Sequence, residues 1–302
     1  MFEIMGVEVD FGECATIGSL QMYPLIAKQG TLPPYLTGPE ASALGNMQVG
    51  ELDPPQVPFL AVTNLSHVPI LLVEGEMLVG GDQDRTMNVT VLCPPDVVTI
   101  VPVSCVEAGR WGARRPMAST GRHSPGSLRS RKTRSQAPRT GHPYARVSDQ
   151  GEVWRSVDEV ASLQGATSDT SALEDVYLKA QDRIASELDG LTPLAGQTGV
   201  ICTIGGKVVG MDLFDRPETL QCYLRGIIAG NALDATEEIS TSDSLAAIET
   251  FLAQVDNAEQ ETGSGVGLGE EIVFRGDISG VGLIFEGSLV HVAAFPAVAN
   301  GG

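Results

Sequence analysis

The amino-acid sequence predicts an α+β fold with a β-rich, sandwich-like N-terminal part and a C-terminal part of helices and β-hairpins. Three observations predict it. Short apolar runs separated by Pro and Gly fill the first third of the chain, and apolar residues adopt helical spacing after residue 149. Two pairs of apolar runs in the C-terminal half are each joined by two residues that include Gly, as in tight hairpins.

The N-terminal part, residues 1–110, is predicted from its short strands. Residues 59–65 and 68–73 are apolar runs separated by Ser66-His67, and residues 90–92 and 97–103 flank a Pro-Pro-Asp turn. Repeated short strands with this punctuation are typical of a sandwich or a strongly bent sheet.

Residues 111–148 are predicted to be an Arg-rich insert, because they are rich in Arg, Ser, Pro and Gly and show little periodicity. A long segment of this kind inside a compact protein is typically functional or disordered.

Four helices are predicted in the C-terminal part. Asp149 precedes the first, and a Ser-x-x-Glu capping box at residues 171–174 precedes the second. Asp215 is expected to cap a third helix that begins with Pro217, and residues 245–255 have the apolar spacing of a fourth.

Two hairpins flank the last two helices. Residues 200–204 and 208–214 meet at Gly205-Gly206, and residues 281–285 and 289–295 meet at Glu286-Gly287. The whole segment 149–302 is expected to pack with the N-terminal part as one body.

Composition excludes several classes of protein. No apolar run approaches the roughly 20 residues that a membrane span needs, and the acidic N-terminus lacks the features of a secretory signal, so a cytoplasmic protein is expected. The five cysteines are odd in number and form no C-x-x-C, which argues against a disulfide framework or a thiolate zinc site. No metal ligand set is predicted, and the sequence names no cofactor.

Charge is unevenly distributed along the chain. The net charge is −19, yet residues 108–148 contain no Asp or Glu and hold ten of the nineteen basic residues. The rest of the chain carries nine basic against 38 acidic residues, a balance of −29, which makes nucleic acid an improbable partner. The segment could instead hold an anionic ligand such as a pyrophosphate, or lie against an acidic surface of this chain or of a second copy.

The run from Glu74 to Arg85 carries the densest set of functional side chains. Glu74 and Glu76 would point to the same face of a strand, where paired carboxylates can share a proton or bind a cation. Gln83 and Arg85 would supply amide and guanidinium donors. The alternative is an exposed hairpin with solvated charges.

Further candidates follow in the sequence. Glu107 precedes Arg110, whose guanidinium suits phosphate or carboxylate, and Trp111 could stack on a base. The preference for Arg over Lys in the basic segment favours directed hydrogen bonds, and its densest part contains Arg129, Lys132 and Arg134. Asp212 and Asp215 could reach a ligand at a strand end, with the helix N-cap as the favoured role for Asp215. His291 lies among apolar strand residues and is expected to be a satisfied core histidine.

Several of these runs resemble the ARG and rhodanese-phosphatase-superfamily-associated protein domain family, a domain of unknown function. The matching segments follow the family's order: residues 72–85, 102–111, 128–134, 204–215 and 289–296. The resemblance implies a place in pathways that handle NAD-derived ADP-ribose, by association with ADP-ribosylglycohydrolases, but no catalytic residue is transferred with it. Asp82 and Asp84 depart from the family pattern, since a basic or neutral residue is expected there.

The leading expectation is therefore binding or processing of an ADP-ribose-like nucleotide. The arginines and the lysine would hold the anionic part and Trp111 the base. Glu76, Gln83 and Glu107 are the candidate catalytic groups, with Glu76 and Glu107 as acid/base or metal-holding carboxylates. The candidate ligand-binding residues are Arg85, Arg110, Trp111, Arg129, Lys132, Arg134 and Asp212. The alternative is a non-enzymatic assembly protein whose Arg-rich segment docks on an acidic surface of another copy or partner, and whether the chain is an enzyme stays open.

Overall fold

The structure is a computed structural model, and it describes residues 2–28, 32–110, 112, 115–136, 146–235 and 244–297. Trp111 and Arg139 lie outside the described residues. No helix in these ranges is both long and apolar enough to cross a membrane.

The elements of the described ranges follow one another along the chain. In the first half they are β1 Phe2–Ile4, β2 Val7–Phe11, β3 Ala15–Ile17, β4 Leu20–Ala27, β5 Leu36–Thr37, α1 Gly38–Ala43, β6 Met47–Gly50, β7 Phe59–Asn64, β8 Ile70–Leu72, β9 Glu76–Gly81, β10 Arg85–Met87, β11 Val91–Cys93, β12 Val98–Cys105, β13 Arg115–His123 and α2 Gly126–Ser135. In the second half they are α3 Gln150–Leu163, α4 Leu173–Glu187, β14 Gly199–Ile204, β15 Lys207–Phe214, α5 Pro217–Leu233, α6 Leu245–Asp256, β16 Glu259–Ser264, β17 Glu270–Arg275, β18 Ile278–Phe285 and β19 Ser288–Pro296.

The α+β class and the β-rich N-terminal part are confirmed, but the strands close into a barrel instead of stacking as a sandwich. The barrel order is β10-β12-β7-β6-β13-β9. Closure depends on the close approach of β13 to β9: Gly80 has φ +123°, and a Cβ there would lie 2.9 Å from Met117 Cα. Two register shifts between these strands bend the sheet further.

The largest sheet joins the two ends of the chain. Its order is β1-β2-β4-β14-β15-β19-β18-β17-β16, with β3 beside β4. All six residues of β14 pair with β4, so strands from the first thirty residues share a sheet with the C-terminal hairpins. Both hairpins are confirmed, and their two-residue turns have positive φ at both positions, as type I′ turns require.

The C-terminal helices follow the sequence prediction in position but not in every cap. Asp149 caps α3, accepting hydrogen bonds from the backbone of Gly151 and Glu152. The prediction of a capping box at residues 171–174 is wrong. Ser171 has φ +50°, and α4 begins at Leu173 without a side-chain cap. The N-cap of α5 is Arg216 rather than Asp215, which uses its carboxylate elsewhere.

The Arg-rich segment contains regular structure, contrary to the expected lack of it. Residues 115–123 form barrel strand β13, and residues 126–135 form α2, which packs against α3 and strand β18. Helix α2 was not predicted because the face that it buries is polar. Arg129 and Lys132 are buried at positions where an ordinary helix has apolar side chains.

Three apolar clusters fill the structure. One lies inside the barrel, a second lies between the large sheet and α6, and the largest joins the sheet to helices α2 to α5. The barrel and the large sheet therefore meet around α2, where the charged residues are.

Candidate functional site

A buried ionic cluster, defined here as Glu74, Arg129, Lys132, Asp212 and His291, lies where α2 contacts both the barrel and the large sheet. Arg129 donates from both Nη atoms to Asp212, at 2.6 and 3.0 Å, and from Nε to Glu74 at 2.9 Å. Lys132 Nζ lies 2.7 Å from the other oxygen of Glu74. All five side chains are at most 2% exposed. Each charge therefore has a direct partner that offsets its desolvation.

Ring contacts and a histidine complete this cluster. His291 Nε2 is 3.2 Å from Asp212, its Nδ1 is 2.7 Å from Thr90 Oγ1, and the Arg129 guanidinium stacks 4.8 Å from the Phe295 ring centroid. His291 is thus the satisfied core histidine that the sequence predicts.

The pKa directions follow from these partners. Burial alone raises the pKa of Asp212, but the attraction of Arg129 outweighs it and holds this pKa well below the ordinary value. For Lys132, burial lowers the pKa and Glu74 opposes the change only in part. Asp212 is ionised and Arg129 charged at neutral pH, so the cluster is an internal brace.

A second group, the loop cluster, consists of Gln83, Asp84, Arg85, Glu107 and Arg110. Arg110 donates to both carboxylate oxygens of Glu107, at 2.7 and 2.5 Å, and lies 3.2 Å from Asp84. Gln83 donates to the Glu107 backbone carbonyl and accepts from Arg85. Although burial raises the pKa of Glu107, hydrogen bonds from Arg110 and from the Asp84 backbone lower it overall. The cluster joins the β9–β10 turn to the segment after β12.

Glu76 lies apart from both clusters. Its carboxyl is fully buried and accepts hydrogen bonds from Val73 N at 3.0 Å, from Tyr223 Oη at 3.1 Å and from Ser119 Oγ. No Arg or Lys pairs with it among the described residues, and burial raises its pKa to about 7. Neighbouring His123 is also fully buried, which lowers its pKa to about 3.

The predicted site residues therefore divide into separate sets. The structure brings Gln83, Arg85, Glu107 and Arg110 together, and it brings Arg129, Lys132 and Asp212 together elsewhere. Glu76 is in neither set, and Arg134 is exposed at the end of α2. Four cavities in the described part of the chain have none of these residues in their lining.

Other arginines of the basic segment also pair with acids of the same chain. Arg122 pairs with Glu174, Arg131 with Glu159 at 2.5 Å and Arg146 with Glu271 at 2.5 Å. The polarised charge of the sequence is in large part matched internally.

A polar cleft of about 550 Å³, termed here the α5 cleft, opens at the N-terminus of α5. Its lining residues are Ala27, Lys28, Leu32, Tyr35, Thr37, Glu40, Thr198, Asp215, Arg216, Pro217, Glu218 and Thr219. The strand β4, the β5–α1 segment, the start of β14 and the start of α5 supply them. Ala27 and Thr219, 192 positions apart, therefore line one cleft, and Asp215 is the one lining residue that the sequence indicated as a ligand candidate.

Four side chains form the polar wall of this cleft. Tyr35 Oη lies 2.5 Å from both Asp215 Oδ1 and Thr219 Oγ1, while Arg216 Nε donates to Asp215 Oδ2 at 2.6 Å. The Arg216 guanidinium stacks 4.4 Å from the Tyr35 ring centroid. Burial raises the pKa of Tyr35, and the hydrogen bond that Tyr35 donates to Asp215 raises it further. Burial also raises the pKa of Asp215, which the hydrogen bonds from Tyr35 and Arg216 offset only partly.

The start of α5 adds a favourable field for anions. The helix spans 17 residues, and no side chain caps its N-terminus. The dipole of such a helix places a partial positive charge at this end, next to the cations of Lys28 and Arg216. Glu40 and Glu218 add acceptors on the same lining. The cleft therefore combines anion-binding donors with carboxylates that can accept from hydroxyl groups.

Comparison with known proteins places these features in a family. The model of the ARG and Rhodanese-Phosphatase-superfamily-associated Protein domain matches residues 8–295, nearly the whole chain. No curated protein matches the sequence, and no solved structure matches it either.

Proposed function

This chain belongs to the ARG and Rhodanese-Phosphatase-superfamily-associated Protein domain family, and we propose that it binds a small anionic ligand of the ADP-ribose type in the α5 cleft. The observation that carries the proposal is the position of Arg216, stacked on Tyr35 at the uncapped start of α5. A guanidinium, an aromatic ring and a helix N-terminus together suit a phosphate group that is attached to a flat or sugar-like moiety.

Size and polarity support a nucleotide rather than a bare anion. Cavities for small organic ligands span roughly 300–1,000 Å³, and the α5 cleft, at about 550 Å³, lies within that range. A simple phosphate would be repelled by the carboxylates of Glu40 and Glu218 on the same wall. A ribose solves this, because its hydroxyl groups donate to carboxylates while the phosphates meet Arg216.

The proposal relocates the anion-binding role that the sequence assigned to the basic segment. The Arg129 guanidinium donates its hydrogen bonds to Glu74 and Asp212. Binding a phosphate there would break ion pairs that are almost completely buried. Such a rupture costs several kcal/mol, in the range of about 3–5 kcal/mol for one partner of a buried pair. Arg216 is 25% exposed and bonds Asp215 through Nε and two backbone carbonyls through Nη2, so Nη1 can meet a phosphate while the ion pair with Asp215 stays intact.

The test is a calorimetric titration of the protein with ADP-ribose, with adenosine and inorganic pyrophosphate as part-ligands. We expect saturable binding of ADP-ribose and weaker binding of each part. Arg216→Gln should reduce the affinity for ADP-ribose by about tenfold or more, since a charge-assisted hydrogen bond contributes roughly 1.5–3 kcal/mol.

The matched control is Arg155→Gln, which removes a guanidinium that is 64% exposed on α3, far along the chain from the cleft. It should leave binding unchanged. The proposal fails if millimolar ADP-ribose produces neither heat nor a rise in melting temperature, or if both arginine variants bind it as well as the unaltered chain does.

A further inference from the structure

A cavity of about 920 Å³ lies between the start of α2 and α6 and is termed here the α2–α6 cavity. Its walls are formed by the start of α2, one face of α3, the β14–β15 hairpin, α6 and the end of β19. Most of the lining is apolar, including Val160, Leu163, Val209 and Phe251. Leu163 is 47% exposed although it is a large apolar side chain, and it borders this cavity. An apolar moiety would remove this surface from water.

The polar side of the cavity is acidic. Asp234 lines it and accepts hydrogen bonds from Ser127 N at 2.8 Å and Ser127 Oγ at 2.5 Å. Asp234 is also the C-cap of α5, whose last turn contains no basic residue. The carbonyl end of a helix carries partial negative charge, so the helix and the carboxylate favour a cation at the same place. Arg131 is the nearby base, and it is paired with Glu159 at 2.5 Å.

A second acceptor, Asn231 Oδ1, lies beside Asp234, and this oxygen has no hydrogen-bond donor among the described residues. Asn231 is 2% exposed, and its Oδ1 has no hydrogen-bond partner among the described residues, while its Nδ2 donates to Ile227 O at 3.1 Å. A Cβ built on Gly126 would lie 2.6 Å from Asn231 Oδ1 and 3.7 Å from Asp234 Oδ2. The bare glycine, itself part of the lining, thus leaves both acceptors near the cavity. A buried acceptor without a partner destabilises the empty site, and a ligand donor would satisfy it.

From these three features we propose that the α2–α6 cavity binds a protonated organic amine with an apolar or aromatic body. The ammonium group donates to the Asp234 carboxylate, beside the hydrogen bonds from Ser127, and to Asn231 Oδ1, which has no other donor among the described residues. The body packs against Val160, Val209 and Phe251. The competing occupant is an amphipathic acid held by Lys207, an exposed residue of the same lining. Two carboxylates, Asp234 and Glu159, repel such an acid. This inference does not depend on the nucleotide proposal, since the two cavities share no lining residue.

The ionisation of Asp234 gives the site a pH dependence. Burial raises the pKa of Asp234 to about 6, with the hydrogen bonds from Ser127 opposing the change. The carboxylate is therefore largely charged at pH 7.5 and largely protonated at pH 5. Amine binding should weaken by several-fold over that interval, whereas the binding of a neutral analogue should not change.

The experiment is a titration by calorimetry with three probes of similar shape: 2-phenylethylamine, 2-phenylethanol and 3-phenylpropionate. We expect the amine to bind saturably and the other two at least tenfold more weakly. Asp234→Asn keeps the size of the side chain and should weaken amine binding by about tenfold or more. Asp158→Asn, at an exposed position of α3, is the matched control and should leave amine binding unchanged.

A second variant keeps the test decisive if Asp234→Asn fails to fold. Leu163→Trp adds bulk at the border of the cavity without touching a buried residue, and it should weaken amine binding by several-fold. The inference is overturned if the acid binds more tightly than the amine, if all three probes bind alike, if Asp234→Asn folds and binds the amine normally, or if no probe binds.

Discussion

The buried carboxyl of Glu76 makes a quantitative prediction about stability and pH. Its pKa is about 7 in the folded protein, against an ordinary value of 4.5, because burial disfavours the charged form. Folding therefore takes up a proton between these two values. The stabilisation is fully present below pH 4.5, and it is lost as pH rises through about 7. At about 1.4 kcal/mol per pKa unit, the loss is about 3 kcal/mol for this fully buried group.

The variant Glu76→Gln isolates this contribution. Glutamine cannot ionise, and it has the size and acceptor needed by the donors Val73 N and Tyr223 Oη, while the Ser119 hydroxyl can accept from its amide. The adjacent His123, with a pKa near 3, stays neutral in the folded protein over this range. Its protonation in the unfolded chain changes the stability of both proteins alike, so it cancels from the difference between them. We expect the variant to match the unaltered protein at pH 4.5 and to be about 3 kcal/mol more stable at pH 8.

The measurement is the free energy of unfolding from urea titrations at pH 4.5, 6, 7 and 8. Glu249→Gln, at an exposed position of α6, serves as the matched control and should remain parallel to the unaltered protein. A constant difference between Glu76→Gln and the unaltered protein across the four pH values would refute the reasoning, because it would show that Glu76 does not change its protonation on folding.

Three further predictions concern the buried ionic cluster, Gly75 and the cysteine thiols. Arg129→Met should lower the free energy of unfolding by about 3–5 kcal/mol, because it leaves two buried carboxylates without their guanidinium. The control Arg155→Met should change it by less than about 1 kcal/mol. Equal effects of the two variants in urea titrations would contradict the role assigned to Arg129. Gly75→Ala should cost about 1–3 kcal/mol, since φ is +84° and the new Cβ would lie 2.5 Å from the buried guanidinium, and an unchanged melting temperature would exclude this. A thiol reagent should modify exposed Cys14 at once in the native protein, and mass spectrometry should find that three buried thiols react only after denaturation: Cys93, Cys105 and Cys202.

The sequence predicted the elements of the C-terminal part well because their signals are local. Gly205-Gly206 marks a turn, Asp149 caps a helix and Pro217 begins one, each by backbone chemistry within a few residues. Four N-terminal strands, β7, β8, β11 and β12, were also located, whereas the other N-terminal strands and the C-terminal β16 and β17 were not. Barrel closure depends on contacts such as Gly80 against β13, which no local pattern encodes.

The candidate residues were chosen by charge and proximity in sequence, and their environment reversed the meaning of several. The sequence assigned Arg129 and Lys132 to the binding of an anion. They are buried instead, because Glu74 and Asp212 lie opposite them after folding. Conversely, Tyr35 and Asp215 meet in the α5 cleft across 180 residues, a separation over which composition and spacing carry no signal.

The pairing of β4 with β14 has a consequence for the newly made chain. Strand β4 ends at residue 27, and its partner along the sheet spans residues 199–204. A ribosome must therefore add more than 170 residues before β4 can find its partner on that edge. All six strands of the barrel are complete by residue 123, so the barrel can assemble while the first strands still wait. We expect the N-terminal segment to be the part of the nascent chain that depends most on chaperone protection, and the docking of its strands to be slow because the contacts are so distant in sequence.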